Sequence, residues 1–422
     1  MINKELFKQV AIKQKRIIEK EDEFVERDLL KDILNFIEDR RILIISGIRR
    51  CGKSTILKEI MRILKEKNKS YCYVNFEDEK FLDFNAREFE DLNEVLIEVY
   101  GESKYYFFDE IQNIDKFETF VRRLQDEGKK IIITGSNSRL LSKEFGTRLT
   151  GRYKLFEIYP FSFREFLMFN KIKIKKEDLP LTETKVKIKK LFGRYTSLGG
   201  FPEYLKNKDE DYIKTIYENI LYKDIIARYS IKKQKTIKEL VNMLTTNISS
   251  QFTYNSLKNT LKLSNSITVK EYISYLNNSY LFFEIQKFYY SLKKQLNSPR
   301  KIYLIDSSFF NILGFNFSPN KGRILENIVF IELMREGKEI FYYSNKGECD
   351  FVIKKGAKIT QAIQVCYNLD NKNKDREING LMESISKFNL KEGLILTHDQ
   401  EDEIKVNSKK IKIIPVWKWL LD

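Results

Sequence analysis

At 422 residues, 42% hydrophobic and 13% aromatic, the chain is too long for one ordinary core and too apolar for disorder, so about three domains are expected. Lys and Arg number 76 against 60 Asp and Glu, a net charge of +16, which favours a polyanionic partner such as nucleic acid, although a lysine-rich composition or a membrane surface would account for the same surplus. No run approaches the ~18 apolar residues of a membrane span and the polar opening "MINKELFKQVAIKQKRIIEK" has no signal-type apolar stretch, while four scattered cysteines and the single His398 leave no disulfide framework or histidine-rich metal site, so a cytoplasmic protein that does not engage membranes is expected.

The first ~160 residues alternate short apolar runs with amphipathic helical stretches, the pattern of a parallel α/β sheet. The runs are "RILIIS" (41–46), "SYCYVNF" (70–76), "KYYFFD" (104–109), "KKIIITG" (129–135) and "YKLFEI" (153–158). The pattern then turns helical. The lysine-rich "KIKIKKEDLPLTETKVKIKK" reads as a solvated linker or helix face, and "DYIKTIYENILYKDIIARYSI" as an amphipathic helix. Between about 233 and 306, three short helices precede a hairpin, "YLFFEIQKFYY" and "RKIYLID", around the polar tip "SLKKQLNSP". Three helices and such a hairpin describe a winged helix. The remainder opens with the amphipathic "GRILENIVFIELMREG", continues through "EIFYYSN" to the strands of "GECDFVIKKGAKITQAIQVCYN", and closes with a helix near 375–388, a strand "EGLILT" and the apolar "KIKIIPVWKWLL". No internal repeat is evident.

The first chemistry lies in "ILIISGIRRCGKSTILKEIMRIL". Gly47-x-x-x-x-Gly52-Lys53-Ser54 follows a strand and opens a helix, where glycines let backbone N–H groups close around phosphates and the helix N-terminus adds partial positive charge. Lys53 is expected to reach the β/γ-phosphates and the Ser54 hydroxyl to ligate Mg²⁺. Gly47, Arg50, Gly52, Lys53, Ser54 and Thr55 form the ATP-binding set, with Arg49 and Arg50 beside the phosphates or at an interface. "KYYFFDEIQNI" supplies the carboxylates on a neighbouring strand: Asp109 for the metal shell, Glu110 to orient or deprotonate water. "IIITGSNS" places Ser136 or Asn137 toward the γ-phosphate or the water. Arg148 and Arg152, in "EFGTRLTGRYKLFEI", are either arginine fingers for a neighbouring subunit's nucleotide or structural salt bridges.

The motifs "GIRRCGKST", "FFDEIQNI", "TGSNS", "LTGRY…YPFSFREFL", "GGFPEYL" and "KIYLID" resemble those of archaeal and bacterial AAA-like P-loop ATPases that join an ATPase core to a winged helix and a restriction-endonuclease-like domain. The resemblance runs through most of the chain. It implies an α/β chain with an AAA+-like core (1–160), a helical lid (161–232), a winged helix (233–306) and a restriction-endonuclease-like C-terminal α/β domain (307–422). It also implies ATP hydrolysis through Asp109 and Glu110, and it favours Arg152 over Arg148 as the finger. A finger acting on a neighbour implies a homo-oligomer, with a hexameric ring as the candidate form.

Residues 233–306 hold 11 Lys/Arg against 4 Asp/Glu. In a winged helix the third helix enters the major groove and the wing lies on the backbone. Lys270, with Tyr272 and Tyr275, lies on that helix; Lys293, Lys294 and Arg300 flank the wing; Lys258 and Lys262 precede them. Mostly phosphate contacts, and so salt-sensitive DNA binding of low sequence selectivity, are expected. Farther on, Glu326, Asp350 and Gln364-x-Cys366 have the layout of a metal-dependent nuclease, which needs about two carboxylates for the ion and a lysine for the developing charge. Gln364 brings no charge and Cys366 no cation; whether Lys354, Lys355 or Lys358 reaches the site is not legible. A degenerate nuclease site is therefore expected. Three readings stay open: an ATPase that binds or remodels DNA, an ATP-dependent nuclease of restriction or defence type, and a nucleotide-switched protein-binding module.

Overall fold

A computed structural model describes residues 4–20, 24–137, 152–314 and 320–422. These form two compact units: Met1–Tyr159 with the short segment Asn278–Tyr280, and Pro160–Asn277 with Leu281–Asp422. Among the described residues no helix is long and apolar enough to cross a membrane.

The first unit is an α/β layer structure around a parallel sheet. Its strands are β1 (Ile42–Gly47), β2 (Tyr71–Asn75), β3 (Tyr105–Asp109), β4 (Lys130–Gly135) and β5 (Tyr153–Ile158), in the order β2-β3-β4-β1-β5. All five apolar runs of the sequence become these strands. β1, β3 and β4 are buried along their whole length, as continuous apolar runs must be when helices cover both faces of a parallel sheet. The helices are α1 (Lys4–Ile18), α2 (Leu30–Asn35), α3 (Lys53–Glu66), α4 (Phe89–Tyr100) and α5 (Phe117–Asp126). One side of the sheet carries an aromatic cluster in which Phe76, Phe81, Phe84, Phe89, Phe108 and Phe120 pack edge-on or stacked. Each such ring contributes about 1.5–3 kcal/mol by burial, which fixes the strand that ends in Asp109. The strand order corrects one expectation: β3 is not β1's neighbour, because β4 lies between them.

The second unit begins with helices. The lysine-rich stretch resolves into the helix Thr182–Leu198, which buries Ile188, Leu191, Phe192 and Tyr195. The expected single helix after residue 210 is an α-helix, Glu210–Asn219, that passes into an eight-residue π-helical stretch, Ile220–Ala227. Next come the helix Gln234–Thr246, β6 (Gln251–Phe252), helices Tyr254–Thr260 and Ser266–Asn278, β7 (Phe282–Gln286), the short helix Leu292–Asn297 and β8 (Arg300–Leu304). β6, β8 and β7 form an antiparallel sheet with β8 at its centre.

A six-stranded mixed sheet follows, in the order β13-β14-β12-β11-β10-β9. Its strands are β9 (Glu339–Ser344), β10 (Glu348–Lys355), β11 (Lys358–Val365), β12 (Glu392–Thr397), β13 (Asp402–Val406) and β14 (Lys409–Pro415). β11 and β12 pair in parallel, which requires a crossover; the helix Lys374–Lys387 makes it. The edge strand β13, "DEIKV", is too charged and exposed to be read as a strand from sequence.

Two of the sequence motifs interlock here. Gly199 and Gly200 of "GGFPEYL" lie against Asp306 of "KIYLID": the buried Asp306 carboxylate accepts from Gly200 N (2.7 Å), Ser308 N (2.9 Å) and Ser308 Oγ (2.6 Å). A Cβ on Gly199, whose φ is +72°, would fall on that carboxylate, and one on Gly200 would strike the Phe161 backbone. Asp306→Ala strands these donors and is expected to destabilise the unit by about 2–4 kcal/mol, measured as a lower urea midpoint. Asp306→Asn, which keeps the shape, is expected to lose less.

Candidate functional site

The P-loop turns where β1 ends. Gly47 has no room for a side chain, since a Cβ would strike the Ile158 carbonyl oxygen. Arg50 and Gly52 take left-handed backbone at φ +65° and +105°. For Gly52 this is the ordinary use of glycine; for Arg50 it is a strained position in a functional loop. Arg27, which the sequence reading passed over, braces the loop from outside. Its guanidinium donates to Cys51 O (2.8 Å) and Tyr159 O (2.6 Å). Its only sequence signal is an arginine in the segment before β1.

Lys53 is buried, and its ammonium folds back on the loop, donating to Gly47 O (3.1 Å) and Ile48 O (3.2 Å) and pairing with Glu110 Oε1 (3.2 Å). Burial works against its charge, but Glu110, Cys51 and Asp109 together outweigh burial and the pKa is raised. Glu110 itself sits at φ +51° just past β3. Burial pushes its carboxyl up, yet Lys53, Gln112 and Arg49 together hold it below the usual range. Asp109 moves the other way: burial and the Glu110 charge raise it, while the Ser54 and Thr134 hydroxyls and Lys53 oppose them. The two adjacent carboxyls are thus pushed apart, the pattern of groups assigned to different tasks.

Because β4 lies between β1 and β3, its end delivers side chains into the gap. Thr134 donates its hydroxyl to Asp109 Oδ1 and accepts from Glu110 N (2.9 Å). Tyr73 donates to Asp109 Oδ2 (3.1 Å). Gln112 donates to Glu110 Oε2 (2.5 Å) and Ser136 Oγ (3.4 Å). Asn137 is buried at the end of the same strand, whereas Ser54 and Thr55 are exposed at the start of α3. Only the strand order brings Thr134 and Tyr73 to the carboxylates, so no local pattern marks them, whereas Gln112 lies two residues past Glu110 within the motif itself. Mg²⁺ fits what is present: the Ser54 hydroxyl and Asp109 carboxylate are in hydrogen-bond contact and form the hard-oxygen pair that Mg²⁺ takes alongside phosphate and water.

The arginines fare differently. Arg152 pairs with Asp126 Oδ1 at 2.8 Å, just before β5 and therefore at the end of the parallel sheet opposite its own P-loop; within the chain it takes the salt-bridge alternative. Arg148 lies outside the described residues. Arg49 pairs with Glu77 (2.9 Å).

In the second unit, Lys262, Lys270, Lys293 and Lys294 are exposed and Lys258 is half-buried. Arg300 is not available as a surface contact. It is buried, beside Glu284 (3.5 Å) and over the Tyr254 ring (4.7 Å). Tyr272 is also buried, and Tyr275 stacks on Tyr229 at 3.8 Å, so the aromatic contacts expected on that helix serve packing instead. In β8, Arg300 shares a face with Ile302 and Leu304, and this is the sequence signal for its burial.

The four nuclease-like residues do not form one site. Glu326 and Asp350 meet, with Asp350 placed by a bulge in β10 between Cys349 and Val352. Gln364 accepts from Asp350 N (3.1 Å) and donates to Glu377 Oε2 (2.6 Å). Cys366 belongs to the apolar cluster with Cys349 and Leu381, where burial pushes its thiol up to about 12. The lysine that stands beside Glu326 and Asp350 is none of Lys354, Lys355 or Lys358. It is Lys301 of β8, donating to Asp350 Oδ1 (2.8 Å) and Glu326 Oε1 (3.0 Å) and pairing with Glu348 Oε1 (2.7 Å). Tyr303, two residues on, also donates to Glu326 Oε1 (2.8 Å).

Residues 39–167 match the family described as an AAA domain; 189–320 and 321–419 match two domains of unknown function, DUF8612 and DUF4143. The chain is 36% identical to the uncharacterized protein MJ1544 of Methanocaldococcus jannaschii, over 100% of this chain and 96% of that one. An uncharacterized protein of Haemophilus influenzae is 28% identical, over 93% of this chain and 97% of its own. Among solved structures, the replication initiator DnaA bound to AMPPCP and single-stranded DNA is similar at 15% identity and a TM-score of 0.28, covering 64% of this chain and 92% of that one. Hsp104 with ATPγS and casein is similar at 16% identity and 0.32, covering 65% and 53%.

Lys53→Ala is expected to abolish nucleotide binding. Glu110→Gln is expected to keep binding and to lower hydrolysis by roughly 10²-fold or more; fluorescent-nucleotide titration and phosphate release separate the two. Arg27→Met is expected to weaken nucleotide affinity about tenfold, the scale of one lost charged hydrogen bond, as seen in the same titration.

Proposed function

The chain belongs to the archaeal and bacterial AAA-like P-loop ATPases, with MJ1544 as a full-length relative, and from that membership we propose a Mg²⁺-dependent ATPase whose cycle acts on DNA. One observation carries the ATPase reading. Lys53 of the P-loop meets Asp109 and Glu110 in a buried cluster at the end of the parallel sheet, with the exposed Ser54 beside Asp109. Mg²⁺, when bound, neutralises phosphate charge there. In the chain itself, Lys53 exchanges Glu110 for the incoming phosphates, and Glu110, still steadied by Gln112, is freed to orient a water and hold its proton. Thr134 keeps Asp109 and the Glu110 backbone in register through this exchange.

For DNA, support comes from the helices and hairpin of residues 233–306, which we read as a winged helix. Lys262, Lys270, Lys293 and Lys294 are exposed there, a distribution suited to phosphates rather than base edges. Restriction-endonuclease-like ancestry for the mixed sheet and a homo-oligomeric, ring-forming assembly belong to the same reading. A second reading, a nucleotide-switched protein-binding module, draws on Ile267, Tyr290 and Leu292, which are 59%, 73% and 65% exposed on the same segment.

The deciding experiment is ATP turnover with and without linear, forked and four-way DNA. Stimulation is expected; turnover indifferent to every DNA, with no duplex shifted at low salt, would favour the protein-binding module. Changing Lys270, Lys293 and Lys294 together to Glu is expected to weaken DNA binding evenly across sequences and to flatten its salt dependence by about one unit of slope per lysine.

A further inference from the structure

The cluster around Lys301 is a concentration of buried charge that the ATPase reading leaves unused. Its ammonium has three N–H donors, and each faces an oxygen of a different carboxylate: Glu326 (3.0 Å), Glu348 (2.7 Å) and Asp350 (2.8 Å). The other positions around it are engaged. Asp350 Oδ2 accepts from Val365 N (2.9 Å), Glu348 Oε2 from Gln251 Nε2 (2.7 Å), and the Gln364 amide is held by Asp350 N and Glu377. Lys301 is 2% exposed, and every residue of β8 is buried.

A divalent ion bound by three carboxylates needs oxygens converging at about 2.0–2.6 Å. Here the oxygens converge on the lysine nitrogen, so ion and ammonium compete for one position. The ammonium is carried by the buried central strand of a three-stranded sheet. Among the described residues, no group of three or more His, Cys, Asp or Glu side chains is poised to hold a metal ion.

We propose that Lys301 is a built-in counter-ion standing where a divalent cation would have to sit, so that the Glu326–Glu348–Asp350 cluster is closed to metal and clasps β8 to β10 and to the helix Lys321–Arg335. Lysine here replaces the ion instead of assisting it. The nuclease-like sheet is thereby a joint, and phosphodiester cleavage is not its task. The proposal stands independently of the ATPase reading.

Mn²⁺ binding to the nucleotide-free full chain tests it, by electron paramagnetic resonance and by thermal midpoint. Wild type and Asp350→Asn are expected to take up Mn²⁺ equally. Lys301→Met, of similar length and uncharged, is expected to gain one further Mn²⁺ with a midpoint that rises in about 1 mM Mn²⁺, and Lys301→Met/Asp350→Asn to lose that gain. If Lys301→Met folds only with Mn²⁺ present, the proposal is supported. If it does not fold at all, Lys301→Met/Glu348→Gln, which sheds the most exposed acid, carries the same comparison. Wild-type uptake that disappears in Asp350→Asn would overturn the proposal. So would a folded Lys301 variant that takes up no more Mn²⁺ than wild type.

Discussion

Burial works against the charge of an ammonium group, and carboxylates brought to it restore that charge. Two buried lysines, Lys53 and Lys301, are held this way, and much of the architecture follows from how. Lys53 is held by Glu110 and loop carbonyls, partners that phosphates can replace, so the arrangement is poised for exchange. Lys301 is held by three carboxylates drawn from a helix and a strand, partners that no small ligand reproduces. The same chemistry gives a reversible contact in one unit and a permanent one in the other.

The exchangeable contact depends on strand order. With β4 between β1 and β3, the strands that lead to the P-loop and to the Asp109–Glu110 pair are separated by one strand's width, and Thr134 of β4 holds both carboxylate residues from between them. Were β1 and β3 adjacent, there would be no place for a third polar strand end, and Asp109 and Glu110 would lack the hydroxyl that fixes them relative to each other. The aromatic packing behind β3 serves the same end by holding fixed the strand that carries both carboxylates.

What the sequence discloses is what lies within one turn or one strand of a motif. The P-loop, the five buried strands and the Asp109–Glu110 pair are local patterns, and each stands where its pattern puts it. Thr134 and Gln112 become functional only through neighbours 24–25 and two residues away, across a turn. Lys301 meets Glu326 and Asp350 across 25 and 49 residues, and no local spacing announces it. Its signal is subtler, a lysine inside "RKIYL", where Ile and Leu alternate with residues that must also be buried. Arg300 illustrates the converse error: net charge counts cations without asking which face of a strand they occupy, and its partner Glu284 lies on the adjoining strand.

β8 is anchored by charge near both of its ends. Lys301 is seated in the acid cluster near its start, and Asp306, just past its finish, is seated on Gly200 and Ser308. A strand secured in this way behaves as a tie-rod. Sliding it along its axis would strain charged hydrogen bonds at both anchors at once, so the register of β8 is fixed by the lysine that fills the acid cluster and by the aspartate just past the strand.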